Sequence, residues 1–387
     1  MSMGRVLVLG AGYQGTSIVK SLSSLESVEH ITVVDIDRRK LVNLVDVSKT
    51  FTVEADIRDT DRLCSLLRNH DLASGALPSE LGYHAMEQAA SVGVDMVDTS
   101  FMPQDPFVLD KLARKNGSCI IPDCGVAPGL SHILVGNYLR KLGEARKVHI
   151  LVGGLPQTPR PPLGYTITWS VHDLIEEYTR PARIVRDRTI VTVDPLSEPA
   201  VIEVPVLGKL ESFYTDGLRT LLHTALPFGV ECMDEKTLRY PSHLEKMRVL
   251  RDCGFFSQEP ISIGACEISP REFTAKILSN MLTSTYEPDV TILLVEVSGI
   301  DSGRKVTFEA QVIDYYDSKM QCSSIARITG FTNVAACSLL LDGKIKEEGV
   351  TPPETLGMNP DYFNRIVNFL QVKGVTITES IKIEDFP

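Results

Sequence analysis

The feature that most constrains this chain is a run of aliphatic residues at 6–9 that stops at the glycine cluster Gly10, Gly12 and Gly15. An amphipathic helical pattern follows at once and continues to Leu25. A strand, a glycine turn and a helix in this order are the context that a dinucleotide-binding G-x-G-x-x-G fingerprint requires. The three glycines have separate roles, since Gly10 allows a tight turn, Gly12 leaves room for a pyrophosphate and Gly15 permits close helix packing.

A second buried run, His30 to Asp35, ends in a carboxylate about twenty residues beyond Gly15, where the motif places an acid on the ribose hydroxyls. The alternative is a strand-to-helix turn that binds no ligand, but the position of Asp35 favours a nucleotide. Asp35 would also repel a 2′-phosphate, so NAD is expected. Arg38 and Arg39 follow closely and leave NADP possible.

Strand-like runs alternate with helical patterns as far as residue 123, which predicts an α/β fold built on a Rossmann-type doubly wound parallel sheet. One of these predicted strands covers residues 92–98. Ligands of such sheets bind beyond the carboxyl ends of the strands, so residues at and after these ends are expected to contact the dinucleotide. They are Gly10, Gly12, Tyr13, Gln14, Gly15, Asp35, Ile36, Asp56, Ile57, Ala76, Leu77, Pro78, Asp98, Cys124 and Gly125.

The regular alternation breaks at Pro122–Leu130, which contains two prolines and two glycines. We therefore assign residues 1–130 to the dinucleotide-binding domain and expect the C-terminal segment 323–387 to fold back and complete it. The region from 151 to about 315 is rich in proline and in short alternating runs, so residues 131–322 are predicted to form a second α+β domain with a mixed, largely antiparallel sheet. This second domain is expected to bind substrate and to mediate assembly into a homodimer or a higher homo-oligomer.

Composition and charge narrow the classes of partner. The formal net charge of −11 and the scattered basic residues disfavour nucleic acid and anionic membranes. The sequence indicates no membrane span, which takes an apolar segment of about eighteen residues or more. The N-terminus enters the first strand without a signal-type leader, so a cytoplasmic location is expected. The eight cysteines include no C-x-x-C pair and no ligand-like spacing is present, so no metal site is expected.

Further motifs lie in consistent order along nearly the whole chain. They are Pro122-Asp123-Cys124-Gly125-Val126-Ala127-Pro128-Gly129, Gly153-Gly154-Leu155-Pro156-Gln157, Pro162-Leu163-Gly164-Tyr165 with Thr168-Trp169-Ser170, Glu176-Glu177-Tyr178, Thr215-Asp216-Gly217-Leu218, Lys236-Thr237-Leu238-Arg239-Tyr240-Pro241-Ser242-His243 and Gly349-Val350-Thr351-Pro352-Pro353-Glu354. Together with the fingerprint they resemble the saccharopine dehydrogenase-like family, and within it the L-lysine 6-dehydrogenases. The family pattern often has glycine where Ser242 stands.

The resemblance implies NAD-dependent oxidative deamination of the side-chain amine of L-lysine. The product is a semialdehyde that cyclises to Δ1-piperideine-6-carboxylate. One alternative within the family is a saccharopine-type or carboxynorspermidine-type enzyme that acts on a secondary amine. An alternative of another class is a non-catalytic NAD-binding sensor. In each enzymatic case the partner is a small amino acid or amine.

Oxidation of an amine requires a free nitrogen lone pair, so an ammonium with a pKa of about 10.4 must first lose its proton. Asp123 is the first candidate for binding the amine and Asp98 is the second. The alternative for either acid is a helix cap or a loop contact. His84 and His243 are candidate proton relays, because an unperturbed imidazole titrates at about 6.5. A purely structural histidine is the alternative for each.

The carboxylate of an amino-acid substrate would pair well with a bidentate guanidinium. Arg239 is favoured for this role over Arg180 and Arg219. The alternative for Arg239 is an ion pair within its own domain. Tyr240 follows Arg239 directly and is placed in the same substrate site.

Three further residues have open alternatives. Thr215 and Asp216 form a turn that either binds the substrate or caps a helix before Leu218. Trp169 either walls the substrate cleft or is a core indole. A nucleophilic role for Cys124 is disfavoured, because no histidine is adjacent to activate its thiol, and packing beneath the nicotinamide is expected instead.

Overall fold

A computed structural model of the protein describes residues 4–167, 169–282 and 288–385; Thr168 of the third motif lies outside the described residues. The strands are β1 (Gly4–Leu9), β2 (Val28–Asp35), β3 (Thr50–Glu54), β4 (Leu72–Gly75), β5 (Asp95–Asp98), β6 (Cys119–Ile121), β7 (Glu144–Pro156), β8 (Ala182–Arg186), β9 (Thr189–Val193), β10 (Ala200–Val204), β11 (Gly208–Tyr214), β12 (Cys232–Arg239), β13 (Ile261–Ile263), β14 (Cys266–Ile268), β15 (Asp289–Asp301), β16 (Arg304–Tyr315), β17 (Gly349–Val350) and β18 (Ile377–Asp385). The helices are α1 (Tyr13–Leu22), α2 (Arg38–Val42), α3 (Thr60–Arg68), α4 (Ser79–Val92), α5 (Asp110–Asn116), α6 (Leu130–Leu139), α7 (Val171–Thr179), α8 (Leu221–Thr224), α9 (His243–Asp252), α10 (Pro270–Leu282), α11 (Ser324–Leu341), α12 (Pro353–Met358) and α13 (Pro360–Val372).

The chain divides into two compact units. The first comprises Met1–Gly143, Arg219–Ala225 and Ala326–Ile377, and the second comprises Glu144–Leu218, Leu226–Ile325 and Thr378–Pro387. The sequence predicts a domain boundary at residue 130, whereas the structure keeps α6 in the first unit. Backbone packing explains this, because a Cβ on Gly136 of α6 would lie only 2.0 Å from the carbonyl oxygen of Glu354 in α12.

The first unit is built on a seven-stranded sheet in the order β17-β6-β5-β4-β1-β2-β3. Every neighbouring pair is parallel, which confirms the predicted doubly wound sheet. The edge strand β17 comes from the C-terminal segment and pairs with β6. Because all the strands run the same way, their carboxyl ends form one edge, where ligands of such sheets bind.

One predicted strand is shorter than expected. The sequence pattern indicates a strand over 92–98, but α4 continues to Val92 and β5 covers Asp95–Asp98. Gly93 has φ 75 and ends the helix in the left-handed conformation. Glycine adopts this conformation without steric cost, and its backbone N–H then bonds to a carbonyl of the last helical turn, here that of Ala89. The apolar Val92 therefore lies in the helix rather than in the strand.

The second unit contains a mixed sheet in the order β10-β11-β12-β7-β15-β16-β18, with β8 and β9 attached through β12. The strands β7 and β12 are parallel, while β10–β11, β11–β12, β7–β15, β15–β16 and β8–β9 are antiparallel. This confirms the mixed, largely antiparallel sheet. The β15–β16 hairpin closes through Ser302 and Gly303, whose φ values of 51 and 75 suit a two-residue turn.

The helix α11 departs from one expectation. Its 18 residues make it long and apolar enough to cross a membrane, although the sequence analysis finds no such segment. In the protein, 78% of these residues are buried. Its Asn333 accepts a hydrogen bond from Ser74 at 2.7 Å and donates one to the Val97 carbonyl at 3.3 Å. Buried core helices meet the same length criterion, so α11 is weak evidence for a membrane span.

Candidate active site

The turn between β1 and α1 has the geometry of an anion-binding turn. Gly10 has φ 98, and a Cβ there would lie 2.4 Å from the Ala76 carbonyl oxygen. A Cβ on Gly15 would lie 1.9 Å from the Gly10 carbonyl oxygen. At Gly12, in contrast, no heavy atom of the described residues other than Gly12 and its two chain neighbours lies within 4 Å of the corresponding position. Gly12 therefore borders free space at the N-terminus of α1, where unpaired backbone N–H groups favour a phosphate.

The Asp35 carboxylate at the end of β2 is held in one orientation. Its Oδ2 accepts a hydrogen bond from Ala11 N at 2.8 Å, and its Oδ1 accepts one from Asp37 N at 2.8 Å. The Lys40 ammonium lies 3.7 Å from Oδ2. Each carboxylate oxygen retains a second lone pair, so Asp35 can still accept hydrogen bonds from ribose hydroxyls.

The other residues expected at the dinucleotide differ in exposure. Tyr13 and Ile36 are 38% and 58% exposed, which leaves their side chains free for ligand contact, and Gln14 is half-buried. Asp56 is held by Arg58, whose Nη2 lies 2.6 Å from Oδ2. Ile57 packs in the core with 6% exposure, so its side chain does not match the predicted contact.

The residues that follow β4 line the same edge. Ala76 donates from its backbone N to Leu9 O at 2.8 Å, next to the glycine turn. Leu77 packs on the core of the first unit. Pro78 precedes the first turn of α4. These contacts place 76–78 beside Gly10.

The loop after β6 carries an ion pair that the sequence does not reveal. Asp123 has φ 54 and is fully buried. The Nε atom of Arg219 donates to both oxygens of Asp123, at 3.2 and 3.3 Å, and Nη2 donates to the Gln104 carbonyl at 3.1 Å. Asp123 caps no helix, since α6 begins after Gly129. It pairs instead with the segment 219–225 of the same unit.

Two carboxyl groups with raised pKa interact with this pair. Asp98 is buried and accepts hydrogen bonds from Ser100 N at 2.7 Å and Ser100 Oγ at 3.2 Å. Burial, with a smaller effect of the Asp123 charge, raises the pKa of Asp98 to about 6. Burial also raises the pKa of Glu354 to about 7, and Asp123 acts in the same direction. Carboxyl groups that titrate near neutrality are typical of catalytic sites, so this cluster is our candidate site.

The next two residues of the loop, Cys124 and Gly125, are held by backbone hydrogen bonds. The Cys124 backbone N donates to Asp98 O at 2.7 Å, and its Sγ lies 3.8 Å from Thr332 O. Burial raises the pKa of the Cys124 thiol, which disfavours a thiolate nucleophile. Gly125 N donates to Pro128 O at 3.0 Å, which tightens the turn into α6.

His84 lies in the second turn of α4, in the first unit. Its Nε2 is buried, and no hydrogen-bond partner for that atom is found among the residues that the structure describes. No hydrogen bond joins it to Asp123, so the structure does not bring these two predicted groups into direct contact.

In the second unit, Arg239 at the end of β12 is buried and paired. Its Nη2 donates to Glu177 Oε2, and its Nη1 donates to Leu238 O at 2.9 Å. The guanidinium carbon lies 4.5 Å from the centre of the Tyr165 ring. Burial raises the pKa of Glu177 and of Tyr165. The structure therefore contains the ion pair that the sequence analysis left as the alternative for Arg239.

His243 belongs to the same buried group. Its Nδ1 lies 2.9 Å from Leu163 O and its Nε2 lies 2.9 Å from the Tyr178 hydroxyl. A carbonyl only accepts, so we assign the proton to Nδ1, and Nε2 accepts from Tyr178. Burial, followed by the charge of Arg239, lowers the pKa of His243 to about 3. An imidazole in this environment does not titrate near neutral pH, so the predicted proton relay lacks its physical basis.

Asp216 and Thr215 have partners within the second unit. Asp216 accepts three hydrogen bonds from Arg183, two from the guanidinium at 2.8 and 2.9 Å and one from the backbone N at 3.0 Å. The Thr215 hydroxyl lies 3.0 Å from the Thr237 hydroxyl. No helix begins at Leu218, because the next helix, α8, begins at Leu221. The helix cap, which the sequence left open as the alternative to substrate binding, is therefore wrong, and Asp216 holds Arg183.

Trp169 and Tyr240 lie at the core of this unit. Trp169 is partly buried and donates from Nε1 to the Tyr165 hydroxyl at 3.0 Å. The Tyr240 hydroxyl donates to Pro156 O at 2.9 Å. Tyr240 also lines a cavity of about 240 Å³ beside Ser242. Ser242 has φ 71, a conformation that favours glycine and accounts for the glycine frequent at this position in the family pattern.

Sequence reasoning missed two members of the cluster in the first unit. Arg219 ranks below Arg239 on sequence because nothing in its neighbours indicates a buried pair. Glu354 lies in the quoted motif after two prolines, and that motif was its only signal. No group of three or more histidines, cysteines or carboxylates that could hold a metal is found within 4–167, 169–282 and 288–385.

Comparison with known families agrees with this architecture. Residues 6–121 match the saccharopine dehydrogenase NADP binding domain, and residues 125–375 match the saccharopine dehydrogenase C-terminal domain. The chain belongs to the saccharopine dehydrogenase family. Membership confirms the resemblance found in the sequence. It also makes the chain an NAD(P)-dependent dehydrogenase of the amine and amino-acid class.

The chain is distantly similar to the following members of this family. The NADP+-dependent, L-glutamate-forming saccharopine dehydrogenase of Schizosaccharomyces pombe is 25% identical over 313 residues, 77% of this chain and 68% of that protein. The alpha-aminoadipic semialdehyde synthase of Arabidopsis thaliana is 23% identical over 309 residues, 72% of this chain but 29% of that protein. The solved apo saccharopine dehydrogenase (L-Glu forming) of Saccharomyces cerevisiae has a TM-score of 0.78 at 19% identity, covering 98% of this chain and 100% of that one. That likeness shows the fold.

The first unit fits the dinucleotide that the family implies. The free space at Gly12, the open N-terminus of α1 and the fixed carboxylate of Asp35 are the three features that hold a pyrophosphate and a ribose in this fold. The residues that would hold the coenzyme therefore lie at the carboxyl edge of the parallel sheet, as does the cluster around Asp123.

Proposed function

We propose that this chain is an L-lysine 6-dehydrogenase, which oxidatively deaminates the side-chain amine of lysine with NAD. The observation that carries the proposal is the buried cluster of Asp98, Asp123, Glu354 and Arg219 at the carboxyl edge of the dinucleotide-binding sheet. The motif resemblance to the lysine 6-dehydrogenases supports the choice of substrate. Homo-oligomeric assembly and a cytoplasmic location stay predictions.

The cluster supplies what amine oxidation needs from the protein. When bound, the oxidised nicotinamide accepts a hydride from the carbon that carries the amine. That transfer requires a neutral amine, so a group in the site must take a proton from an ammonium with a pKa of about 10.4. We assign the binding of the ammonium to Asp123. With a pKa of about 6, Asp98 is ionised at neutral pH and is the proposed proton acceptor.

NAD is proposed over NADP on the geometry of Asp35. Both oxygens are held by backbone N–H groups, so the carboxylate cannot rotate away from a bound ribose. A 2′-phosphate at that position would meet a fixed negative charge. The Lys40 ammonium, 3.7 Å from Asp35 Oδ2, weakens this repulsion, so some activity with NADP is expected.

A second candidate function is favoured by the position of Arg219. In the part of the chain that the structure describes, Arg219 donates through Nε and Nη2, which leaves Nη1 for a ligand beside Asp123. In a saccharopine-type secondary amine, a carboxylate lies one carbon from the reacting nitrogen. In lysine the carboxylate lies a whole side chain away. Because Arg219 contacts Asp123, its guanidinium would lie near a carboxylate that is close to the reacting nitrogen. This arrangement suits the saccharopine-type secondary amine better than lysine.

The test is a spectrophotometric screen of the purified chain. NAD and NADP are offered with lysine, ornithine, saccharopine or a short diamine, and reduced nicotinamide is followed by absorbance. Turnover with lysine and NAD supports the leading proposal. Turnover with saccharopine but not lysine selects the second candidate. No reaction with any amine contradicts both.

Paired variants link the reaction to the cluster. Asp123→Asn is expected to lower kcat/KM by about a hundredfold or more, because the amine loses its charged partner. Asp71→Asn is the matched control, since Asp71 also pairs with an arginine, Arg5, but on the exposed surface. Equal activity of the two variants would argue against a role of Asp123 in the reaction.

A further inference from the structure

The segment Arg219–Ala225 is held by contacts beyond the Arg219–Asp123 pair. Leu221, Leu222 and Ala225 are buried. His223 Nε2 lies 3.3 Å from Asp105 Oδ2. The helix within this segment, α8, has only four residues and no side-chain cap. A helix this short has little stability of its own, so its position depends on these outside contacts.

The deepest of these contacts is to Glu354. The Thr220 hydroxyl lies 2.9 Å from Oε2 of Glu354, and the Thr224 hydroxyl lies 2.5 Å from Oε1. Glu354 has no exposed surface. Its backbone is fixed too, because a Cβ on Gly136 would lie 2.0 Å from its carbonyl oxygen and a Cβ on Gly357 would lie 1.9 Å from Ile133 O. Glu354 is therefore a rigid anchor beneath the segment.

The hydrogen atoms in this contact have two possible arrangements, and both keep the segment bound to Glu354. The Thr224 hydroxyl lies 3.1 Å from Thr220 O as well as 2.5 Å from Glu354 Oε1. A threonine hydroxyl carries one hydrogen, so it cannot donate to both acceptors. If Glu354 is a neutral acid, it donates to Thr224, Thr224 donates to Thr220 O, and the Thr220 hydroxyl donates to the other carboxyl oxygen. Every polar group is then satisfied. If Glu354 is ionised, both hydroxyls donate to it and Thr220 O still accepts from Thr224 N at 3.1 Å, so either state holds the segment.

We propose that Glu354 is a positioning residue that holds Arg219–Ala225 in place so that Arg219 lies on Asp123. This inference rests on the proposed function, because the Asp123–Arg219 pair is the assigned amine site. Glu354 itself acts only through Thr220 and Thr224. Burial raises the pKa of Glu354 to about 7, so both protonation states are populated near neutral pH, and each keeps the two hydrogen bonds.

Two substitutions of Glu354, by glutamine and by alanine, should have different effects on the segment 219–225. Glu354→Gln keeps one acceptor for Thr220 and one donor for Thr224, so the segment stays in place. Glu354→Ala removes both, which leaves the buried Thr220 hydroxyl without its acceptor and the Thr224 hydroxyl with only its bond to Thr220 O. Thr355→Val is the control, because the Thr355 hydroxyl donates to Pro352 O at 2.6 Å, whereas the Glu354 carboxyl group bonds to Thr220 and Thr224.

The first readout is hydrogen exchange of the amides in 219–225, which does not depend on any activity. We expect faster exchange in Glu354→Ala, with wild-type rates in Glu354→Gln and Thr355→Val. Unchanged exchange in Glu354→Ala overturns the proposal, and so does equally fast exchange in Glu354→Gln.

The second readout is a double-mutant cycle with Arg219→Ala on kcat/KM for the amine substrate. Alone, Glu354→Ala should lower kcat/KM by about tenfold to a hundredfold, the size expected for a misplaced active-site group. In the Arg219→Ala background it should lower it hardly at all, because both changes remove the same alignment. Additive effects overturn the proposal. If the wild type oxidises no amine, the proposed function fails, and hydrogen exchange alone decides whether Glu354 holds the segment.

Discussion

At the scale of single residues, the charge of Asp35 is expected to set the choice of coenzyme. Asp35→Ser removes the fixed carboxylate beside the ribose and leaves Lys40 nearby. The ratio of kcat/KM for NADP to that for NAD should rise by about tenfold or more, since like-charge contacts at short range cost a kcal/mol or so. Steady-state kinetics with both coenzymes measures this ratio. An unchanged ratio in Asp35→Ser would show that another group discriminates.

The buried acid Glu354 should make stability depend on pH. Its pKa is raised in the folded protein to about 7, from about 4.5. Between these values the unfolded chain releases a proton that the folded chain retains, so the unfolding free energy falls as pH rises through that window. The full difference is on the order of 3 kcal/mol.

Denaturant titrations from pH 4 to pH 8 test this expectation on the first unit. The wild type should lose stability relative to Glu354→Gln as pH rises, and the two should run parallel outside the window. A wild-type advantage that grows with pH would mean that burial does not raise this pKa.

At the scale of elements, the turn between β1 and α1 contains glycines with different roles. Gly12→Ala places a methyl group in free space with ordinary backbone angles, so thermal stability should be nearly unchanged. The methyl group would occupy the room for the pyrophosphate, so coenzyme Kd should rise by about tenfold or more. Gly15→Ala would instead meet the Gly10 carbonyl at 1.9 Å and should lower the melting temperature. Calorimetry of both variants with and without NAD separates the two effects.

The helices and strands differ in how well local sequence patterns predict them. The sheet order of the first unit follows from alternating strand and helix patterns, because each parallel strand needs a crossover helix. The end of α4 at Val92 did not follow, since an apolar residue before Gly93 suits either a helix end or a strand start. Only the left-handed Gly93 decides between them.

At the scale of the whole molecule, coenzyme binding should protect residues that are far apart in sequence. The first unit is assembled from 1–143, 219–225 and 326–377, and NAD bound to it opposes its unfolding. At about a hundred times Kd, exchange of its slowest amides should slow by about a hundredfold. The strongest test is whether NAD slows amide hydrogen exchange in β17 and α8. Exchange in the β8–β9 pair of the second unit should change less. Protection limited to residues 1–143 would contradict the assembly.

By itself, the sequence determines the parallel sheet, the dinucleotide turn and the family, because these depend on contacts between neighbours in the chain and on motifs of fixed spacing. Asp123 was also identifiable, since it follows a predicted strand. Its partner was not. Arg219 lies 96 positions away and Thr220 lies 134 positions from Glu354.

Only the tertiary structure decides which acids are buried, which arginine meets them and which histidine is desolvated. The burial of His243 lowers its pKa and argues against the relay, while the burial of Glu354 raises its pKa and suggests an anchor. Desolvation and charge pairing act through space, and the distances that govern them are set by how the elements pack. No local pattern of residues contains those distances. The burial, charge pairing and pKa values of the site therefore follow only from the tertiary structure.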